Sequence, residues 1–171
     1  MLRKILTLAA AAALVAADQL IKMWATATLQ PVGTIPVIPH VLELQYVLND
    51  GMAFSLLSGK QTFLTVVTSI ALAAVLIYLM IKNPPPVERA AWTLILGGGI
   101  GNLIDRALNG QVVDYFNFLF MRFAVFNFAD VCITVGVALL ILGLILEERK
   151  SSKAAKAAAE NGGQRDNDGN T

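Results

Sequence analysis

The sequence predicts an all-α polytopic membrane protein with four transmembrane helices and a small extracytoplasmic β-sheet and loop region. Hydrophobic residues make up 56% of the 171 residues and charged residues only 15%, whereas an average soluble domain carries about 25% charged residues. A chain this short cannot bury so much apolar surface inside a water-soluble globule. Four long apolar segments, separated by charged or proline-rich connections, place that surface in lipid instead.

The first apolar segment, from about residue 5 to 29, has two interpretations. Arg3-Lys4 followed by an alanine-rich run is typical of a signal peptide with its cleavage site. Apolar residues continue beyond that site, however, whereas the apolar region of a signal peptide ends after about 7–15 residues. We therefore favour an uncleaved transmembrane helix, which carries Asp18 and Lys22 near its far end.

Three further segments complete the predicted membrane domain, which covers residues 1–150. Residues 61–81 contain no charge and are long enough, as a helix, to cross a hydrocarbon core of about 30 Å. The next spans are predicted at residues 90–106 and 128–146. The polar, low-complexity segment 151–171 is predicted to be a disordered cytoplasmic tail.

The distribution of basic residues predicts the orientation. Four spans put most lysines and arginines on one side, and the positive-inside rule makes that side, with both termini, cytoplasmic. The connections 30–60 and 107–127 then face outward. In the first of these, Leu42, Leu44 and Tyr46 alternate as in a β-strand, and Asn49-Asp50-Gly51 follows as a turn.

Polar residues at the outer helix ends and in the adjoining loops form a candidate site. An ionisable residue at the centre of a transmembrane helix costs about 2.5–3.5 kcal/mol, so such residues usually have a function. Asp18 and Lys22, spaced i,i+4, would also neutralise each other on one helix face. Gly97 and Gly101 are interpreted as a close helix-packing surface rather than a nucleotide loop. The polar residues that converge at this depth are Asp18, Lys22, Asn102, Asp105, Arg106, Asp114, Asn127 and Asp130.

Asp114 and Asp130 are the least explained by structure alone, since neither has a basic neighbour within four positions. Two carboxylates held a few ångströms apart share one proton and can activate water on a scissile amide. The only histidine, His40, and the only cysteine, Cys132, provide no nucleophile pair and no imidazole or thiolate ligand set for a metal. A metal site built from carboxylates alone is only weakly indicated, and neither a cofactor nor a metal is expected. A net charge of +1 gives no field for nucleic acid. From the residues alone, a proton-coupled transporter and a non-catalytic membrane scaffold remain alternatives.

Five segments resemble the signature boxes of lipoprotein signal peptidase, the bacterial membrane aspartyl protease family also called signal peptidase II. They occur in the family's order and are DQLIK (18–22), NDGMAFS (49–55), GGGIGNLIDR (97–106), VVDYFNF (112–118) and FNFAD (126–130). One departure is Val131, which follows Asp130 where a small or polar residue is common.

The resemblance implies an enzyme of the bacterial cytoplasmic (inner) membrane that removes signal peptides from prolipoproteins, cleaving before a cysteine that carries a diacylglyceryl group. It implies an active site near the outer face, contact with membrane lipid, and inhibition by globomycin. It assigns catalysis to Asp114 and Asp130. Support of the dyad or binding of substrate falls to Asp18, Lys22, Asn49, Gly51, Asn102, Asp105, Arg106 and Asn127.

Overall fold

The computed structural model describes residues 1–51 and 59–168, with side chains described as far as Arg149. The part of the second motif from Met52 to Ser55 therefore lies outside the described residues. Four helices and a three-stranded antiparallel sheet make up the described chain. In order they are α1 (Leu2–Leu29), β1 (Thr34–Ile38), β2 (Leu42–Asn49), α2 (Gln61–Ile81), α3 (Pro86–Asn109), β3 (Val112–Phe118) and α4 (Phe128–Asp168).

Local sequence explains where α2 and α3 meet. Lys82 adopts an extended conformation after the last turn of α2, as a residue close to a proline run favours. Pro86 occupies the first turn of α3, where its missing N–H costs nothing. The helix ends at Gly110, whose φ of 69° is the left-handed conformation that glycine adopts readily. Helix α3 is thus longer at both ends than the predicted span 90–106.

Close packing of α1 on α3 depends on two of the predicted small residues. A Cβ atom at Gly97 would lie 2.8 Å from Leu14 Cβ, and one at Gly101 would overlap the Asp18 carboxylate. Because Leu14 pairs with Gly97 and Asp18 with Gly101, the two helices run parallel. The predicted packing role of these glycines is confirmed, and the continuous helix through Asp18 supports a span rather than a short signal peptide.

The other glycines of the cluster bring α2 and α4 onto α3. A Cβ at Gly99 would overlap Leu72 of α2, and one at Gly98 would overlap the carbonyl oxygen of Ala129 in α4. Helix α3 therefore contacts each of the other three helices and lies at the centre of the bundle. Three helices in the described chain are long and apolar enough to cross a membrane: α1, α2 and the part of α4 from Phe128 to Arg149. Helix α3 does not reach that level of apolarity.

The sheet covers one end of the bundle. Its order is β1-β2-β3, with Leu44 of β2 opposite Phe116 of β3 and Val47 opposite Asp114. Tyr115 packs with Ala25 and Leu29 from the last turns of α1, which joins the sheet to the helices. The predicted strand around Leu42–Tyr46 is confirmed, whereas β1 and β3 are additional.

Helix α4 extends further than predicted. The sequence predicts that the span ends at residue 146, whereas the helix that contains it continues to Asp168. Residues 153–160 (KAAKAAAE) have high helix propensity, which accounts for this continuation. The disorder of the tail stays a prediction.

Candidate active site

A buried cluster of charges joins α1 to α3 beneath the sheet. Lys22 Nζ lies 2.9 Å from a carboxylate oxygen of Asp18 and 2.9 Å from one of Asp105. The Gln19 amide donates to Asp105 Oδ1 at 3.0 Å and to the carbonyl of Gly101 at 3.2 Å. The i,i+4 neutralisation of Asp18 by Lys22 is confirmed, and Asp105 adds a second carboxylate. Removing Lys22 would leave two buried carboxylates without a cation, at a cost of about 3–5 kcal/mol.

Asn102 connects this cluster to Asp130. Lys22 Nζ donates to Asn102 Oδ1 at 2.8 Å, and Asn102 Nδ2 donates to Asp130 Oδ1 at 2.7 Å. An ammonium group can only donate hydrogen bonds, so Lys22 determines which end of the amide faces it. The NH2 group of Asn102 is thereby directed at the Asp130 carboxylate.

The first turn of α4 holds Asp130 in place. Asn127 Oδ1 accepts from the Asp130 N–H at 3.0 Å, and Asp130 Oδ2 accepts from the Asn127 N–H at 3.2 Å. This reciprocal pair is a capping box. The Phe128 N–H donates to the Tyr115 hydroxyl at 3.0 Å, and the Ala129 N–H donates to Asp18 Oδ1 at 3.1 Å. The N–H groups that a helix start leaves unpaired thus bond to side chains from α1, β3 and α4 itself.

Asp114 lies on β3, and its two carboxylate oxygens each accept from an amide. Asn49 Nδ2 donates to Oδ2 at 2.8 Å, and Asn127 Nδ2 donates to Oδ1 at 2.6 Å. Burial raises the pKa of Asp114 from 3.8 to about 6, against the opposing effect of these two donors, and the negative charge of Asp130 adds to the rise. A carboxyl group with this pKa can gain or lose a proton near neutral pH.

Both donors to Asp114 are oriented by a backbone N–H. Gly51 N–H donates to Asn49 Oδ1 at 2.9 Å, as Asp130 N–H does to Asn127 Oδ1. A backbone N–H can only face the carbonyl end of an amide, so the NH2 end must point away from it, toward Asp114. The turn at Asn49–Gly51 and the cap of α4 therefore position the two donors.

Arg106 connects the end of α3 to the turn at Gly51. Its guanidinium donates to the Gly51 carbonyl oxygen at 3.0 Å. Its Nε is buried and has no hydrogen-bond partner among the described residues. A buried donor without a partner is costly, so Arg106 has capacity to bind an acceptor that enters the site.

Asp114 and Asp130 line the same cavity, of about 510 Å³, together with Asn49, Asn102 and Arg106. Its remaining wall is mainly apolar and is formed by one side of α4, the end of β3 and the segment that follows β3. It includes Phe118, Phe123, Val125, Val131 and Val135. The cavity thus joins a polar floor to an apolar wall. In the described chain, no group of three histidine, cysteine or acidic side chains is arranged to hold a metal ion.

The structure brings all ten predicted site residues together, including Asn49 and Gly51 from the first outer connection. Two contributors were not singled out from the sequence. Gln19 and Tyr115 lie inside the quoted motifs, and their polar groups bond to Asp105 and to the start of α4. A polar residue beside Asp18 in an apolar helix was the available signal for Gln19, whereas nothing local distinguished Tyr115 from an interfacial aromatic residue.

Comparison with known proteins points to a single family. A family model described as signal peptidase (SPase) II matches residues 10–146. A lipoprotein signal peptidase from Lactococcus lactis subsp. cremoris is 39% identical, over 86% of this chain and 98% of the relative. One from Symbiobacterium thermophilum is 42% identical, over 81% and 93%. A solved structure described as a bacterial membrane enzyme has a TM-score of 0.76 at 34% identity, covering 83% of this chain and 88% of that chain.

Proposed function

Since the chain belongs to the signal peptidase II family, a family of membrane-embedded aspartic proteases, we propose that Asp114 and Asp130 are its catalytic pair. The protein removes signal peptides from prolipoproteins, and this activity decides against the transporter and scaffold interpretations. The observation that supports the assignment is that both carboxylates line one cavity and that the charge of Asp130 acts on Asp114.

The proposed reaction uses one proton shared by the two aspartates. The ionised carboxylate takes a proton from water, whose oxygen attacks the carbonyl carbon of the scissile amide. The protonated carboxylate donates its proton to the carbonyl oxygen. Collapse of the tetrahedral intermediate breaks the C–N bond, and the released amine of the new N-terminal cysteine takes a proton. The amide donors of Asn49, Asn102 and Asn127 keep the carboxylates in place while the charge moves.

The cavity suits the proposed substrate, a prolipoprotein with a diacylglyceryl-modified cysteine. The apolar wall offers a surface for acyl chains or for an apolar signal helix, and the polar floor faces the peptide bond. Arg106 Nε would donate to a carbonyl oxygen of the substrate backbone, which would satisfy its missing hydrogen bond. Globomycin, the inhibitor expected from the family, would occupy this cavity in competition with substrate.

We further propose that α3 is a fourth transmembrane helix. Its 24 residues give a length of about 36 Å, and the helices around it shield its glycines and polar residues from lipid. Four crossings put both termini in the cytoplasm and the active site near the outer face of the bacterial inner membrane. Residues 151–171 would then lie at the cytoplasmic end, remote from catalysis.

The test is cleavage of a synthetic diacylglyceryl-modified prolipoprotein by purified protein in detergent. We expect Asp114→Asn and Asp130→Asn each to lose nearly all cleavage while thermal unfolding remains cooperative. Glu147→Gln, an exposed change of carboxylate to amide at the far end of the apolar part of α4, serves as a matched control and should cleave normally. Cleavage that survives either aspartate substitution would show that the pair is assigned wrongly.

A further inference from the structure

A second cavity lies at the end of the bundle opposite the active site. It has a volume of about 760 Å³ and runs between the first half of α1 and the first half of α3. These two helix halves belong to the same end because α1 and α3 are parallel. The walls carry Leu6, Ala10, Ala13 and Leu14 from α1, and Ala90 and Leu94 from α3.

The walls of this cavity are apolar despite two threonines. Thr7 donates its hydroxyl proton to the Arg3 carbonyl oxygen at 2.8 Å, and Thr93 donates to the Arg89 carbonyl oxygen at 2.7 Å. Both hydroxyls are thus bonded within their own helices. The alanines leave a slot that longer side chains would fill, and its lining matches a hydrocarbon chain in polarity.

Two arginines, Arg3 and Arg89, are also among the lining residues, at the N-terminal ends of the two helices. Arg89 Nη2 donates to Asn83 Oδ1 at 2.9 Å, but Arg89 Nη1 is buried without a hydrogen-bond partner among the described residues. The adjacent carboxylate, Glu88, instead accepts from the Tyr78 hydroxyl at 2.5 Å and the Trp92 N–H at 3.2 Å. Within the described chain, neither arginine forms an ion pair.

We propose that this cavity binds an anionic phospholipid, with its phosphate on Arg3 and Arg89 and one acyl chain along the slot between α1 and α3. Arginine forms strong, charge-assisted hydrogen bonds with phosphate oxygens. The apolar slot favours a lipid over free phosphate as the ligand, because a phosphate group alone would leave the slot unfilled. The site is separate from the catalytic pair, and the membrane orientation proposed above assigns it to the cytoplasmic leaflet.

The experiment measures lipid binding to the full chain in detergent by native mass spectrometry and by the shift in unfolding temperature. The probes are phosphatidylglycerol, neutral phosphatidylcholine with the same acyl chains, and glycerol 3-phosphate, which has no acyl chain. We expect phosphatidylglycerol alone to bind and stabilise the protein. Arg3→Gln with Arg89→Gln should weaken that binding by about tenfold or more, since each basic residue near an anionic lipid contributes about 1 kcal/mol.

Two further variants keep the result interpretable. Lys82→Gln removes an exposed cation at the same end of the bundle but outside the cavity, so it should bind phosphatidylglycerol like the wild type. Ala10→Phe with Ala13→Phe keeps both arginines and fills the slot, so it should lose binding. An equal loss in Lys82→Gln, binding retained in the filled variant, or equal binding of phosphatidylcholine would each overturn the proposal. Prolipoprotein cleavage, measured in parallel, reports separately on the catalytic assignment and on folding.

Discussion

Asn127 has two roles that a pair of substitutions can separate. Its Oδ1 caps α4, and its Nδ2 donates to Asp114. Serine at this position retains a capping oxygen but has no amide donor, and alanine lacks both. We expect Asn127→Ser and Asn127→Ala to lower kcat alike, by about a hundredfold. Only Asn127→Ala should lower the free energy of unfolding further, by about 1 kcal/mol. Cleavage kinetics and thermal unfolding measure the two effects, and a wild-type kcat in Asn127→Ser would contradict the donor role.

Asp114 should give the reaction a basic limb. The proposed reaction needs one proton on the pair, and the pKa of about 6 for Asp114 means that this proton is lost as the pH rises through that value, so kcat/KM should fall as the pH rises. Asn49 Nδ2 stabilises the charged form of Asp114, so Asn49→Ala should raise the pKa of Asp114 and move the limb to higher pH. Profiles of kcat/KM between about pH 5 and 8 would measure this. Asn117→Ala, on the same strand as Asp114 but bonded to Glu43 and Gln45, should leave the limb in place.

The same pKa predicts how stability changes with pH. Folding raises the pKa of Asp114 from 3.8 to about 6, so the protonated form favours the folded state. This contribution is complete below the unfolded pKa and is lost as the pH rises through about 6. The unfolding temperature of the wild type, relative to that of Asp114→Asn, should therefore increase as the pH falls from about 7 to 4. A difference that is constant over this range would show that folding does not perturb Asp114.

At the scale of elements, the contact of α3 with α4 sets the position of Asp130. A methyl group at Gly98 would overlap the Ala129 carbonyl and lie 3.1 Å from Cys132 Cβ, so the two helices would have to separate. We expect Gly98→Ala to lower the free energy of unfolding by about 1–3 kcal/mol and to impair cleavage. Gly143→Ala in α4 meets nothing within 4 Å and should retain activity with equal or greater stability. Normal stability and activity in Gly98→Ala would contradict tight packing there.

The sequence predicted those elements that are defined by a pattern in neighbouring residues. Residues 61–81 have a continuous apolar pattern between a lysine and a proline run, and α2 has those bounds. Strand β3 was missed because VVDYFNF pairs with β2, which lies far earlier in the chain (Asn49 is opposite Val112). The two strands are not joined by a short hairpin turn that would indicate the pairing. The site residues were predictable from the free-energy cost of placing polar side chains in lipid and from the motifs. The orientation of the side-chain amides of Asn49, Asn102 and Asn127 was not, because it depends on contacts between residues that only the fold brings together.

For the whole molecule, the central position of α3 explains why this helix is long enough to cross a membrane but less apolar than the candidate spans in the other three helices. A helix surface that faces lipid must be apolar, whereas α3 faces α1, α2 and α4 and can carry Asn102, Asp105 and Arg106. By mean hydropathy, therefore, three helices of the described chain qualify as candidate spans, and α3 is not among them. The parallel pairing of α1 with α3 brings Asp18 beside Gly101, so that polar residues of the two helices meet at the same end of the bundle.

The proposed fourth crossing can be tested with two reporter cysteines on either side of α3. Lys82 and Phe120 are exposed, at the start of the α2–α3 connection and after β3. In a Cys132→Ala background, Lys82→Cys and Phe120→Cys would each be the only thiol. We expect a membrane-impermeant maleimide to label Phe120→Cys in intact spheroplasts, and to label Lys82→Cys only after permeabilisation. Labelling of both before permeabilisation would mean that α3 enters and leaves on one side. The opposite pattern would keep the crossing but invert the orientation, and would place the active site on the cytoplasmic face.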